Sequence, residues 1–171
     1  MSKKKGGPVR IRRNIHRFGD PYLPSIDPGE TAYCTECHAL FHRRRWFFDE
    51  EQYLDIKDRP EVHRVACPAC RKIKDRYFEG QLTLAQSPFF DSHKEEIINL
   101  IRNEEERAKG INPLERIISI SEEHGKMVVT TTNEKLAQRI GRELKKAYQG
   151  RTEFHWSKDD KCLRVTWARE A

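Results

Sequence analysis

The C-terminal half of the sequence alternates between two hydrophobic periodicities. Apolar positions three to four residues apart predict two amphipathic helices, the first after a capping box of Ser92 and Glu95 and the second with Asn133 as its N-cap. Apolar positions at every second residue predict four strands in two hairpins. This order predicts an antiparallel α-ββ-α-ββ domain over residues 91–171, with both helices on one face of a four-stranded sheet.

Shorter apolar runs in residues 31–90 predict a separate, smaller domain. We expect a strand within residues 39–48, a short helix or loop over residues 49–56 and a second strand over residues 62–66. Residues 82–84 lie in a further strand that we expect to bridge to the C-terminal domain. The fold class predicted for the whole chain is therefore α+β.

Residues 1–30 lack either periodicity and indicate a basic, flexible tail that leads into a proline-rich connector. Four apolar side chains interrupt this segment: Phe18, Tyr22, Leu23 and Ile26. We expect the connector to dock through them on the small domain or on a partner.

The composition of the 171 residues, 36% hydrophobic and 35% charged, does not favour one large core. No stretch approaches the about 20 apolar residues of a membrane span, and the first residues lack the apolar centre of a signal peptide. We therefore expect a cytoplasmic protein with no membrane partner.

The net charge of +6 comes from the first 19 residues, which hold seven cations and no acid. The cations are Lys3, Lys4, Lys5, Arg10, Arg12, Arg13 and Arg17. A basic segment of this kind can follow a phosphate backbone and release counterions as it binds. A solubilising arm is the alternative interpretation.

Two Cys-x-x-Cys pairs, Cys34 with Cys37 and Cys67 with Cys70, give the small domain its candidate chemistry. Each two-residue spacer points both thiolates the same way, so the two pairs supply the four soft ligands of a tetrahedral zinc site. The 29 residues between the pairs predict a four-cysteine zinc ribbon with an insertion. Cys162 stands apart, and we expect a structural strand residue there.

The three histidines near these cysteines, at positions 38, 42 and 63, are not expected to be ligands, because four thiolates already complete the site. A closed site cannot activate water. The sequence also lacks a phosphate-binding glycine loop and a nucleophile elbow. We therefore expect no enzymatic activity and no small-molecule substrate.

Further candidate nucleic-acid contacts lie in both domains. Arg43, Arg44 and Arg45 can contact phosphates, while the aromatic residues that follow them either stack on bases or cover a small core. On the second predicted helix, three cations share one face: Arg139, Arg142 and Lys146. A solvated helix face explains the same spacing.

Several segments together resemble the zinc-ribbon adaptor family named for nonsense-mediated decay protein three, and more closely the small bacterial proteins similar to it. They are the two cysteine pairs, Cys67-Pro68-Ala69-Cys70-Arg71 running into Tyr77-Phe78-Glu79-Gly80, and the stretch GKMVVTTTNEKLAQRI from Gly125 to Ile140. In that family a cysteine-rich part precedes α+β modules, and archaeal and eukaryotic members bind the large ribosomal subunit. Longer members have cysteines for two zinc sites, whereas this sequence has one set.

The resemblance implies association with the ribosome or structured RNA, with the large subunit favoured by the resemblance alone, and does not imply nuclear export. Together with the basic tail, it predicts a non-enzymatic zinc protein that acts in ribosome assembly, storage or quality control. One alternative is a zinc-ribbon transcriptional regulator that binds DNA or RNA polymerase. Another is a redox or metal-sensing switch that uses the thiolates and Cys162.

Overall fold

The computed structural model describes residues 21–171, which form two mixed β-sheets and four helices. The α+β class predicted from the sequence is confirmed. Residues 21–79 are called the N-terminal module here, and residues 80–171 the C-terminal module. The tail cations between residues 3 and 17, and Phe18, lie outside the described residues.

The N-terminal module contains a four-stranded sheet with strand order β3-β2-β1-β4. Its elements are β1 (Ala32–Cys34), β2 (Leu40–His42), β3 (Arg45–Phe47), α1 (Glu50–Ile56), β4 (His63–Val65) and α2 (Pro68–Asp75). Strand β2 is antiparallel to both of its neighbours, β1 and β3, whereas β4 is parallel to β1. The parallel pair places the carboxyl ends of β1 and β4 at the same edge of the sheet.

The insertion between the cysteine pairs folds largely as its sequence predicts. Asp49 caps α1, because its side chain accepts a hydrogen bond from the Gln52 backbone N–H at 2.9 Å. The single strand expected within residues 39–48 is instead a hairpin of β2 and β3. Its two-residue loop, Arg43 and Arg44, lacks the Asn-Gly type of sequence by which such turns are usually recognised.

The C-terminal module contains a five-stranded sheet with strand order β6-β7-β5-β9-β8. Its elements are β5 (Gly80–Ala85), α3 (Pro88–Ile111), β6 (Ile117–Glu123), β7 (Lys126–Thr131), α4 (Glu134–Tyr148), β8 (Arg151–Trp156) and β9 (Leu163–Ala168). Both predicted hairpins are present, as β6 with β7 and β8 with β9.

The prediction of a four-stranded antiparallel sheet was wrong, because β5 is the central strand rather than a bridge. It pairs antiparallel with β7 and parallel with β9, so the sheet is mixed. The second sheet therefore begins at Gly80, before the predicted domain boundary after residue 90. The local sequence of β5 does not indicate that its partner strands lie about 45 and 80 residues further along the chain.

The core of the C-terminal module lies between one face of this sheet and the helices α3 and α4. Alternate strand residues supply the sheet side, as in β9, where Leu163, Val165 and Trp167 are buried and the residues between them are exposed. Helix α4 supplies Leu136, Ala137, Ile140 and Leu144 at the predicted spacing.

The start of α4 agrees with the prediction, whereas the start of α3 does not. Asn133 caps α4 by accepting a hydrogen bond from the Leu136 N–H at 3.1 Å, which confirms the expected cap. Helix α3 begins earlier than expected, because Ser87 is its N-cap and Pro88 its first residue. Ser92, the predicted cap, donates instead to the Pro88 carbonyl inside the helix.

The two modules contact each other next to a largely buried ion pair of the N-terminal module. Lys72 of α2 places its Nζ 2.9 Å from Glu79 Oε1 and 3.2 Å from the Thr132 carbonyl oxygen. The Glu79 backbone in turn bonds to Thr131 and Leu163 of the second sheet. Lys72 therefore connects the helix that follows the second cysteine pair to the C-terminal module.

Candidate metal centre

The parallel pairing of β1 and β4 brings the two cysteine pairs together. Cys34 is the last residue of β1 and lies opposite Val65, the last residue of β4. Cys67 follows two residues later and caps α2. Because both strands end at the same edge of the sheet, the two cysteine pairs lie close together in the fold although they are distant in the sequence.

The first cysteine pair lies in a tight turn. The His38 N–H donates to the Cys34 carbonyl at 3.0 Å, and the Cys34 N–H donates to the Ala39 carbonyl at 2.8 Å. His38 has a φ of 66°, a left-handed conformation that is unusual for a residue with a side chain. The turn returns the chain into β2, which begins three residues after Cys37.

The second cysteine pair forms the first turn of α2. The Cys70 N–H donates to Cys67 Sγ at 3.4 Å, and the Cys67 N–H donates to Cys34 Sγ at 3.2 Å. Pro68 at the first helical position has no N–H to leave unsatisfied. Backbone N–H groups and the positive end of a helix both favour the thiolate form of cysteine.

The four Sγ atoms of Cys34, Cys37, Cys67 and Cys70 all lie within 4.8 Å of one another. The Cys37 and Cys67 sulfurs are 3.8 Å apart, which is the edge expected of a tetrahedron with metal–sulfur bonds of about 2.3 Å. All four cysteines are free thiols. The group can therefore hold a metal ion, as the sequence predicts.

The four thiols also shift one another's pKa. Hydrogen bonds with Cys37, Cys67 and Cys70 lower the pKa of Cys34 well below its usual range. The contact with Cys34 raises the pKa of Cys37, but those with Cys67 and Cys70 outweigh it and bring the pKa to about 7. Contact with Cys34 raises the pKa of both Cys67 and Cys70. Full ionisation of the group thus requires a cation to offset the repulsion among four thiolates.

Apolar side chains surround the four sulfurs. Ala39, Trp46 and Ala69 are buried beside them, and Leu114 of the C-terminal module packs against the same cluster. The ligand group is therefore part of a small core that also reaches the second module.

None of the three nearby histidines belongs to the four-sulfur group that the described residues form. His38 stacks on Tyr53, with ring centroids 4.2 Å apart. His42 Nδ1 lies 3.1 Å from the Thr31 hydroxyl, and His63 Nε2 lies 3.2 Å from Glu30 Oε2. Each histidine ring thus has a partner other than the sulfurs.

Cys162, the fifth cysteine, is buried directly before β9 and is not part of the group. Desolvation by burial raises the pKa of its thiol. A thiol that is both buried and protonated is a poor nucleophile.

The arginines predicted to contact nucleic acid in the N-terminal module lie at the tip of the β2–β3 hairpin. Arg43, Arg44 and Arg45 are all exposed, and none forms an ion pair with another of the residues 21–171. Of the aromatic residues that follow, Trp46 is buried, whereas Phe48 is 41% exposed. The segment therefore divides into an exposed cationic tip and a partly buried aromatic base.

The predicted cationic face of α4 is partly neutralised by acids of its own module. Arg139 lies 3.8 Å from Glu115, and Lys146 lies 3.7 Å from Glu143. Arg142 is exposed between them. These cations and the hairpin tip lie in different modules.

A cleft of about 300 Å³ between the connector and the β2–β3 hairpin was not identified from the sequence. Leu23, Pro24 and Ile26 line one part of it, and Phe41 and Trp46 line another. The apolar connector residues were a signal that this segment docks, but they did not indicate that a cavity remains beneath it. Tyr22, at the start of the connector, stacks on Tyr77.

The fold and the site define an α+β protein of two modules, the first organised around four cysteines that can hold a metal ion. The sequence matches no family model, no curated protein and no solved structure. Within residues 21–171, no helix has the length and apolar character that crossing a bilayer requires.

Proposed function

We propose that this chain is a non-enzymatic zinc protein that binds ribosomal or other structured RNA. The main support is the hairpin tip, where three adjacent arginines project from the module that contains the four cysteines. Cations without an acidic partner remain available to phosphate groups, and such contacts supply most of the affinity of proteins for nucleic acid.

Zinc is the metal that this donor set favours. Four thiolates in a tetrahedral arrangement are typical of structural zinc or iron–sulfur sites. The sulfurs here are spaced to surround a single metal ion rather than an iron–sulfur cluster, as the 3.8 Å separation of two of them indicates. Zinc held by Cys34, Cys37, Cys67 and Cys70 has no coordination position left for a substrate, so its role is to hold the module folded.

The ribosome is the proposed partner for two reasons that come from the sequence. The seven cations of residues 1–19 suit a segment that runs along rRNA, and the resemblance to the nonsense-mediated decay protein three family favours the large subunit. The proposed role is in ribosome assembly, storage or quality control.

Sedimentation of a cell lysate through sucrose gradients tests this proposal. We expect the protein to migrate with ribosomal particles at low salt and to be released at high salt, because phosphate contacts weaken as salt rises. Deletion of residues 1–19 should lower the affinity for RNA and flatten its salt dependence. Free sedimentation at low salt, or co-purification with RNA polymerase in place of ribosomes, would contradict the proposal.

A further inference from the structure

The tip of the β2–β3 hairpin has an unusual backbone. His42 pairs with Arg45, which leaves Arg43 and Arg44 as a two-residue loop. Their φ values are 50° and 65°, so both lie in the left-handed region. Two-residue hairpin loops of this kind normally contain glycine, asparagine or aspartate, because other side chains clash with the backbone there.

Another two-residue loop, between β6 and β7, has the composition that is usual for such turns. Glu123 pairs with Lys126, and the loop between them is His124 and Gly125, with φ values of 50° and 70°. A glycine thus occupies one of the two left-handed positions. At the arginine loop both positions have long side chains, and strain of this kind is typical of sites that contact a ligand.

The two arginines of the loop differ in their surroundings. Arg44 lines the cleft of about 300 Å³ described above, whereas Arg43 does not. Among the described residues that line the cleft, Arg44 is also the only charged one. The remaining walls are mainly apolar and include the rings of Phe41, Trp46 and Pro24. A single guanidinium beside aromatic and proline rings is a combination suited to a flat, anionic ligand.

We propose that this cleft binds one unpaired nucleotide of RNA, an inference that rests on the RNA binding proposed above. The base lies against the apolar walls, and the guanidinium of Arg44 holds its phosphate in a bidentate pair. Unpaired bases stack on aromatic side chains in this way, whereas a duplex keeps its bases stacked on one another. The cleft is at the small end of the range for ligand sites, about 300–1,000 Å³, which suits one nucleotide.

The test compares Arg44→Gly with Arg43→Gly in the full chain. Both substitutions relieve a left-handed residue and remove one positive charge, but only Arg44 lines the cleft. The probe is a single-stranded oligoribonucleotide that contains 4-thiouridine. We expect Arg44→Gly to weaken binding about tenfold, the loss of a hydrogen bond to a charged group. Arg43→Gly should weaken it about twofold, as expected for a screened surface charge.

Photocrosslinking of the same probe locates the bound base. We expect crosslinks in the peptide that contains Phe41 and Trp46, and weaker competition by duplex RNA than by single-stranded RNA. Equal losses of affinity in the two variants, or crosslinks only outside the cleft, would overturn the nucleotide site while the proposed RNA binding stands. Failure of the unaltered protein to bind any RNA would overturn both.

Discussion

The two modules of this protein are stabilised in different ways. In the C-terminal module, strands of six or seven residues and two long helices bury a cluster of fifteen residues. In the described part of the N-terminal module, the strands have three residues each, and two smaller clusters hold five and four buried residues. Two of the five are the metal-ligating candidates Cys34 and Cys67.

This difference shows how a metal can take the place of apolar surface. A core as small as that of the N-terminal module rarely supplies enough stability alone, so small domains often use a metal or disulfides. The exposed arginine tip lies in this module. We therefore expect RNA binding by the tip to depend on the metal, whereas the C-terminal module should fold without it.

Removal of one metal-ligating cysteine should give the largest difference in stability between the two modules. Cys67→Ser should abolish metal binding and unfold the N-terminal module, because structural zinc contributes about 10–16 kcal/mol in small zinc domains. Metal content by mass spectrometry and amide chemical shifts for each module measure the result. Cys162→Ser is the matched control, since Cys162 is buried but lies outside the sulfur group. Retention of one metal ion per chain by Cys67→Ser would contradict the assignment.

The candidate ligands could be recognised from sequence because their spacing is a local property. The two-residue spacer of each pair, with the reducing environment expected for the chain, was sufficient to predict the group. The caps and apolar spacing of α4 are local in the same sense, and both were predicted correctly.

The centre of the second sheet was not predicted, because it depends on distant parts of the chain. The place of β5 at the centre of the second sheet is set by hydrogen bonds to β7 and β9, which the alternation of Leu82 and Leu84 does not specify.

The Arg43–Arg44 turn was missed for a different reason. Its sequence lacks a glycine or asparagine, so the local rule predicted a continuous strand.

A cavity in the C-terminal core should destabilise the C-terminal module and leave the metal site intact, which is the opposite of the result expected for Cys67→Ser. Leu84→Ala removes a side chain that is fully buried in β5, and we expect a loss of about 3–5 kcal/mol in the free energy of unfolding of that module. The metal content should not change. Leu54→Ala, at a position 53% exposed in α1, should alter stability by about 0.5 kcal/mol or less. Denaturant titration of the metal-loaded proteins distinguishes these outcomes, and metal loss in Leu84→Ala would show that the modules are not separately stabilised.

The Lys72–Glu79 ion pair at the boundary of the two modules should have an intermediate effect. Lys72→Met leaves the Glu79 carboxylate, 14% exposed, without its cation. We expect a loss of about 2 kcal/mol, below the range for fully buried pairs because both partners retain some contact with water. The double variant Lys72→Met, Glu79→Gln should recover part of this loss. A double variant less stable than Lys72→Met would contradict the account of an uncompensated charge.

Relief of strain at the arginine turn should give the smallest change, and one of opposite sign. Arg44→Gly should raise the stability of the N-terminal module by about 1 kcal/mol, because glycine adopts a φ of 65° without a clash. Arg45→Gly is the control, since Arg45 lies in β3 without a left-handed φ and glycine there should lower stability by about 0.5–1 kcal/mol. Thermal unfolding of the two variants measures the difference. The same sign of change in both would contradict the presence of strain.

Crosslinking in cells, followed by sequencing of the bound nucleic acid, tests the central proposal most directly. The metal-held N-terminal module is proposed to display Arg43, Arg44 and Arg45 to ribosomal RNA. We predict reads enriched in defined rRNA segments over size-matched input RNA, with protein crosslinks in the peptide that contains the three arginines. Reads distributed as in the input, or recovery of DNA in place of RNA, would contradict the proposal.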